Sequence, residues 1–293
     1  MTIETLPLHP LFAAEMRGVD LRRAADTALC EAIDSAMNQY AVLVLRDQPL
    51  DDEQQLAVGR ALGTLEDRPA QVGMEKQRLK YAELVDISNL EIDDTLLPAD
   101  DRRRMFNLGN QLWHTDSSFK ATPAKYSMLH ARVIPPAGGE TEFADMRAAW
   151  DALPEATREL IAPMVCDHSL IYSRALLGFD AFTEVERAGF APVAQRLVRR
   201  HPGSGRQSLF LAAHIGTIHG LPRPEAMMLI RNLTEHATQR QFVYRHEWRV
   251  HDLVIWDNRC TMHRGLSYDD KRYKRDMRRV TLTDVAPTLA QPA

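Results

Sequence analysis

The feature that most restricts the fold is a succession of short apolar runs, separated by turn-forming residues, through the middle and end of the chain. They cover residues 41–45, 81–87, 126–133, 165–172, 194–199, 208–212, 241–245, 253–256 and 278–283. Runs of this length predict strands, because branched and aromatic side chains suit a pleated surface. The run AVLVL at 41–45 predicts a buried strand. HPGSGR at 201–206 predicts a hairpin turn. Helical patterns are few: 25–38, 51–62 behind acidic capping residues, 146–153, 154–161 with Pro154 at its start, and 224–236. No glycine-rich phosphate loop follows a strand. Many short strands and few helices point to a sandwich or barrel rather than a repeated βαβ sheet.

The composition narrows the function classes. With 293 residues, 45% hydrophobic and 26% charged, the chain has the make-up of an ordinary globular protein. The 36 basic and 40 acidic residues give a formal net charge of −4, which argues against a partner such as nucleic acid bound mainly through phosphates. Cys30, Cys166 and Cys260 are odd in number, far apart and outside any CxxC, so neither a disulfide framework nor a cysteine zinc site is expected. A cytoplasmic, reducing compartment is expected from this. The first residues lack the basic and apolar regions of a signal peptide. No apolar run approaches the roughly 18–20 residues of a membrane helix, so no membrane partner is expected. The segment DDRRR at 100–104 reads as a surface loop.

The sharpest chemical signal is His114-Thr115-Asp116. In an extended segment residues i and i+2 share a face, which sets an imidazole beside a carboxylate. Alone, such a pair is most often an ordinary hydrogen-bonded couple. His263, after the run 253–256 and the polar turn Asp257-Asn258-Arg259, supplies a second imidazole. Two histidines and a carboxylate suit non-haem Fe(II), which keeps open positions for a cosubstrate and oxygen. Zinc accepts the same ligands. In KRDMRRVTL, Arg275, Met277 and Arg279 share one strand face, and Asp276, Arg278 and Val280 the other. Two guanidinium groups on one face suit two anionic ligands; without the histidines, a solvated edge strand would be the favoured explanation. His168, His214 and His219 have no carboxylate at ligand spacing and read as structural or solvent-facing.

Longer motifs then become informative. WHTDSSF at 113–119, PPAGGETEFADMRAAWDALP at 135–154, WDNRCTMHRG at 256–265 and RDMRR at 275–279 resemble the taurine dioxygenase-like group of Fe(II)/2-oxoglutarate dioxygenases. The resemblance runs from HPLFAAEM at 9–16 to VTLTD at 280–284, so the chain reads as one domain, 1–293. KYAELVDISN at 80–89, KYSMLHARV at 125–133 and EHATQRQFVYRHEW at 235–248 are similar to the branch that acts on 2,4-dichlorophenoxyacetate.

The resemblance implies a mainly β fold with flanking helices, a double-stranded β-helix of the cupin-like jelly-roll type. It implies that His114, Asp116 and His263 bind Fe(II). Arg275 and Thr141 would hold the distal carboxylate of 2-oxoglutarate, Arg279 the substrate's anionic group, and Asn110 would lie near the substrate. The stretch between His263 and the arginines is one residue longer than the family pattern, which leaves Arg272 and Arg278 as the alternative pair. Gln71 stands where a lysine is expected, so either Lys76 or Lys80 replaces it or the substrate's carboxylate rests on Arg279 alone. Leu79, Tyr81, Trp113, Ile171 and Tyr172 are candidates for an aromatic-accepting pocket, with an ordinary core role the favoured reading for each. The implied reaction hydroxylates the ether methylene of an aryloxyacetate, giving a phenol, glyoxylate, succinate and carbon dioxide. Oxygen is consumed, ascorbate is expected to stimulate, and a homo-oligomer is expected. The alternatives are a dioxygenase of taurine, other alkyl sulfonates or small carboxylates, and a non-catalytic metal-binding cupin-like protein.

Overall fold

The computed structural model describes residues 3–23, 25–66 and 78–292. A seven-stranded sheet runs in the order Glu4–Pro7, Ala14–Arg17, Val42–Leu45, Leu253–Asp257, Ala124–Val133, Asp276–Thr283, Val85–Ser88. Leu253 pairs with both Leu45 and His130, so neighbours in the sheet come from distant parts of the chain. The described pairs are antiparallel except Ala14–Arg17 against Val42–Leu45. A smaller sheet places Thr141–Asp145 between Val243–His246 and Thr261–Gly265. Val193–Arg196, Val165–His168 and Ile215–Ile218 form another, and Val198–Arg200 pairs with Gln207–Leu209 through the expected 201–206 turn. The expected jelly-roll architecture is the observed one.

Both faces of the large sheet are buried. Val42, Val44, Leu129, Val254, Trp256 and Met277 pack with Phe143 of the smaller sheet. Leu43, Leu45, Met128, Ile255 and Val280 pack outward with Ile33, Met37 and Leu56. This two-sided burial accounts for the unalternating AVLVL run. The outer residues belong to helices Thr27–Tyr40 and Asp52–Leu62. Asp26 caps the first through Leu29 N–H, and Asp51 caps the second in a capping box with Gln54. Helix Arg223–Ala237 and helix Met146–Asp151 cover the smaller sheets. No described helix is long and apolar enough to cross a membrane, and the three cysteines are free.

Several local expectations change. The run 165–172 is not one strand: it ends at His168, and the Ser169 hydroxyl accepts from Tyr172 N–H to start helix Leu170–Ala175. Of 81–87, only the end joins strand Val85–Ser88. The 100–104 segment is not a loop. Asp101 caps helix Arg102–Asn107, and its arginines pair with Glu186, Glu91 and Asp270. Strands Thr141–Asp145 and Thr261–Gly265, too polar to stand out in sequence, form by pairing with each other.

Candidate active site

His114 and His263 are a cross-strand pair. His114 N–H donates to His263 O at 3.0 Å and His263 N–H to His114 O at 2.8 Å. This exchange places the imidazole centroids 4.2 Å apart. Asp116 lies on the same side, with carboxylate oxygens 3.8 Å from His114 Nε2 and 3.7 Å from His263 Nε2. Thr115 turns away and donates to Leu211 O at 2.9 Å, as strand alternation requires. One ligand atom from each of His114, Asp116 and His263 lies within 4.8 Å of the others, and all three residues are buried.

The surroundings orient these groups. His114 Nδ1 lies 2.7 Å from Leu112 O; a carbonyl only accepts, so Nδ1 carries the hydrogen and Nε2 keeps its lone pair. Ser127 donates to Asp116 Oδ2 at 2.7 Å and accepts from Asn258 Nδ2 at 3.0 Å. Asn258 Oδ1 accepts from Asp116 N–H and Trp256 Nε1, both at 3.1 Å. Burial holds His114 below its ordinary pKa and His263 well below, so both are neutral donors near pH 7. Burial pushes the Asp116 carboxyl up, but the Arg279 guanidinium, with the Ser127 hydroxyl, outweighs it and holds the carboxyl below its ordinary value. Two neutral nitrogens and one carboxylate on one side fit a non-haem Fe(II) with open positions. His263 Nδ1 is buried without a hydrogen-bond partner.

Two cavities, of about 160 and 130 Å³, meet at His114, Asn110 and Arg279. Phe106, Phe119, Leu170 and Phe190 wall the first, which also contains Asp116, Arg174 and His214. Thr141, His263 and Arg275 line the second. Burial lowers the Arg275 guanidinium to about 10, opposed only by Tyr268, and no described carboxylate pairs with it. Its Nη2 donates to Gly139 O at 3.4 Å, and its N–H to Asn89 Oδ1 at 2.8 Å. The loop that supplies Gly139 has φ of +77° at Gly138 and +75° at Gly139. A Cβ on Gly138 would meet Ser267 O at 2.6 Å, so glycine is required there. Thr141 Oγ1 accepts from Trp248 Nε1 at 3.0 Å, leaving its own hydrogen to donate.

Arg279 Nη1 donates to Asp116 Oδ1 at 2.6 Å. Arg278 faces the other way, pairing with Asp276 in a group that includes Arg78 and Asp86. Arg272 is exposed beside Tyr273. The inward pair is therefore Arg275 and Arg279, with Met277 in the core between them. Lys80 is exposed, bonded to Tyr81 and near Glu53, and lines neither cavity. Gln71 and Lys76 lie outside the described residues.

The pocket candidates need correction. Leu79 and Tyr81 pack in the core under the large sheet, and Trp113 packs with the smaller-sheet core. Ile171 packs against the Phe179 and Phe182 cluster, and Tyr172 against Gly216. None of the five lines either cavity. His168 is core, and exposed His219 pairs with half-buried Asp167, as expected. His214 is not merely structural: it lines the first cavity, its centroid 6.1 Å from that of His114. Phe106, Phe190 and Arg174 carry no sequence signal, being scattered through separate segments, whereas Phe119 ends the WHTDSSF motif. Asn258 stands inside the WDNRCTMHRG motif, which could have marked it.

A chain with this site has close relatives. A 2,4-dichlorophenoxyacetate dioxygenase of Cupriavidus pinatubonensis, alpha-ketoglutarate-dependent by name, is 48% identical over 286 residues, 98% of this chain and 99% of that protein. An (S)-phenoxypropionate/alpha-ketoglutarate-dioxygenase of Delftia acidovorans is 34% identical and covers 92% of this chain and 91% of its own. The crystal structure of AAD-2 with Mn(II) and N-oxalylglycine superposes with a TM-score of 0.91, at 49% identity, over 99% of this chain and 100% of that one. Residues 4–281 match the family described as "Taurine catabolism dioxygenase TauD, TfdA family". By this match and these identities, the chain belongs to the TauD, TfdA family of dioxygenases.

Proposed function

We propose that this chain, working as one domain, is a 2-oxoglutarate-dependent dioxygenase that hydroxylates the ether methylene of aryloxyacetates such as 2,4-dichlorophenoxyacetate. The observation that carries the reading is the meeting of two unlike cavities at the His114, Asp116 and His263 cluster: one aromatic-walled, the other holding a guanidinium with no carboxylate partner among the described residues. The curated relatives named for this activity support the substrate class.

His114, Asp116 and His263 hold Fe(II). Bound there, iron with 2-oxoglutarate and oxygen supplies the oxidation: one oxygen atom enters a substrate C–H bond while the cosubstrate becomes succinate and carbon dioxide. The Leu112 carbonyl fixes the His114 tautomer, and Ser127 fixes the Asp116 carboxylate. Arg275 takes the distal carboxylate of 2-oxoglutarate, and the Thr141 hydroxyl donates to the same group. Arg279 orients the substrate's anionic end, and the phenylalanine wall receives its ring. Asn110 stands where the cavities join. Fixing both ends of the substrate sets the methylene at a defined place, which contributes to rate. The hydroxylated methylene is a hemiacetal, which collapses to the phenol and glyoxylate. The enzyme works as a cytoplasmic homo-oligomer, and ascorbate stimulates it by keeping iron reduced.

Taurine, an alkyl sulfonate without a ring, would leave the phenylalanine wall unfilled. A non-catalytic metal-binding protein would have no use for the second cavity and its arginine. The test is phenol release from 2,4-dichlorophenoxyacetate with Fe(II), ascorbate and 2-oxoglutarate, with 2-oxoglutarate omitted as control. Phenol only with the cosubstrate is the expected result. Its absence would overturn the aryloxyacetate reading, and succinate formed with taurine would put the sulfonate reading in its place.

A further inference from the structure

The aromatic-walled cavity holds a buried arginine with no carboxylate partner among the described residues and no task in the reaction above. Arg174, on helix Leu170–Ala175, is only 5% exposed. The other buried arginines each have an aspartate: Arg147 has Asp145, Arg199 has Asp284, Arg259 has Asp257 and Arg278 has Asp276. Among the described residues no carboxylate pairs with Arg174. Its Nη1 donates to Ser173 Oγ at 3.3 Å, and its Nε is buried without a hydrogen-bond partner. Burial and the nearby Arg279 lower its pKa to about 10, which still leaves it charged near pH 7.

The setting is built around this charge. The guanidinium lies over the Phe106 ring, 4.3 Å from its centroid. It also lies against Gly109, where a Cβ would stand 2.1 Å from Nη1 and 2.2 Å from Cζ. Any other residue at 109 would have to displace the guanidinium. Ser173 also meets His214 Nδ1 at 2.9 Å, so the Arg174 and His214 side chains share one hydroxyl partner. The other arginines that line the cavity are engaged: Arg279 with Asp116, Arg78 with Asp86 and Asp276, and Arg103 with Glu91 and Asp101. An enclosed cation without a counter-ion is unfavourable, and a ligand anion removes that cost. Arg275 has the same character in the second cavity.

We propose that Arg174 is a second anchor for the substrate's carboxylate, acting with Arg279 in the same cavity. This rests on the reading that the cavity receives an aryloxy acid. With Arg279 shared with Asp116, Arg174 is the guanidinium with binding capacity to spare.

The test is calorimetric titration of 2,4-dichlorophenoxyacetate, and of its uncharged primary amide, into protein loaded with Mn(II) and N-oxalylglycine. Arg174→Met is expected to weaken binding of the acid roughly 10- to 100-fold. Binding of the amide and the KM for 2-oxoglutarate should stay within about threefold, and Arg174→Lys should restore part of the loss. Acid binding within about threefold of wild type, in a variant with unchanged circular dichroism and Tm, would overturn the proposal, as would equal losses for acid and amide. Should Arg174→Met misfold, Gly109→Ala replaces it: displacing the guanidinium should weaken acid binding selectively, and unchanged binding would count against the anchor. Arg174-dependent binding of the acid by a wild-type protein that releases no phenol would leave this anchor standing and remove the reaction assigned above.

Discussion

At the scale of single residues, Asp116 is the most heavily constrained group. Its carboxylate accepts from Arg279 and Ser127 while both candidate histidines face it. Ser127→Ala removes a bond that orients one oxygen and leaves Asn258 Nδ2 without its acceptor. Metal affinity should fall roughly 10- to 100-fold, read by titration of Fe(II) or Mn(II) under anaerobic conditions. Arg275 and Thr141 stand in the other cavity, away from the phenylalanine wall. Arg275→Met should raise the KM for 2-oxoglutarate by roughly 10- to 100-fold, and Thr141→Val by about 3- to 10-fold, since a bond to a charged donor outweighs a neutral one. The KM for the aryloxyacetate should change little in either variant. An equal rise in both KM values would mean that Arg275 serves the whole site rather than the cosubstrate.

At the scale of elements, the site is a seam between sheets. Strand Thr261–Gly265 carries His263 and pairs with the extended His114 segment. Strand Asp276–Thr283 brings Arg279 to the same place from the large sheet. Helix Asp52–Leu62 braces that strand from outside: Gln55 Nε2 donates to Arg278 O at 2.8 Å. Asp51→Ala removes the capping box of this helix and should cost about 1 kcal/mol. Tm should fall by roughly 2–4 °C with kcat/KM unchanged, because the cap is exposed and lines neither cavity. A matching loss of activity would show that the brace also tunes the site.

At the scale of the whole molecule, stability depends on histidines folded as neutral groups. Burial lowers His168 to about 3 and His130 to about 4. In the unfolded chain each takes up its proton near pH 6.5. On acidification the unfolded state therefore binds protons first. The stabilisation is complete above about pH 6.5 and is lost as pH falls towards the folded values, at up to about 1.4 kcal/mol per pH unit for each group. Denaturant midpoints should decline below pH 6.5, and His168→Asn should decline less steeply. A midpoint flat down to pH 5 would mean that these side chains are protonated in the native state. The same long-range packing divides what could be read early from what could not. The alternation of His114, Thr115 and Asp116, and of Arg275 to Arg279, is a local property of an extended backbone, so the facing of those side chains was determined by the sequence itself. Motif length and order carried the jelly roll and the choice of His263 and Thr141. The run at 165–172 misled because one serine cap outweighed strand propensity. The phenylalanine wall, His214, the Ser127 and Asn258 support and the lone charge of Arg174 come from segments far apart in the chain. Only tertiary packing decides which of them meet, because burial and pairing are properties of neighbours in space and leave no period in the sequence.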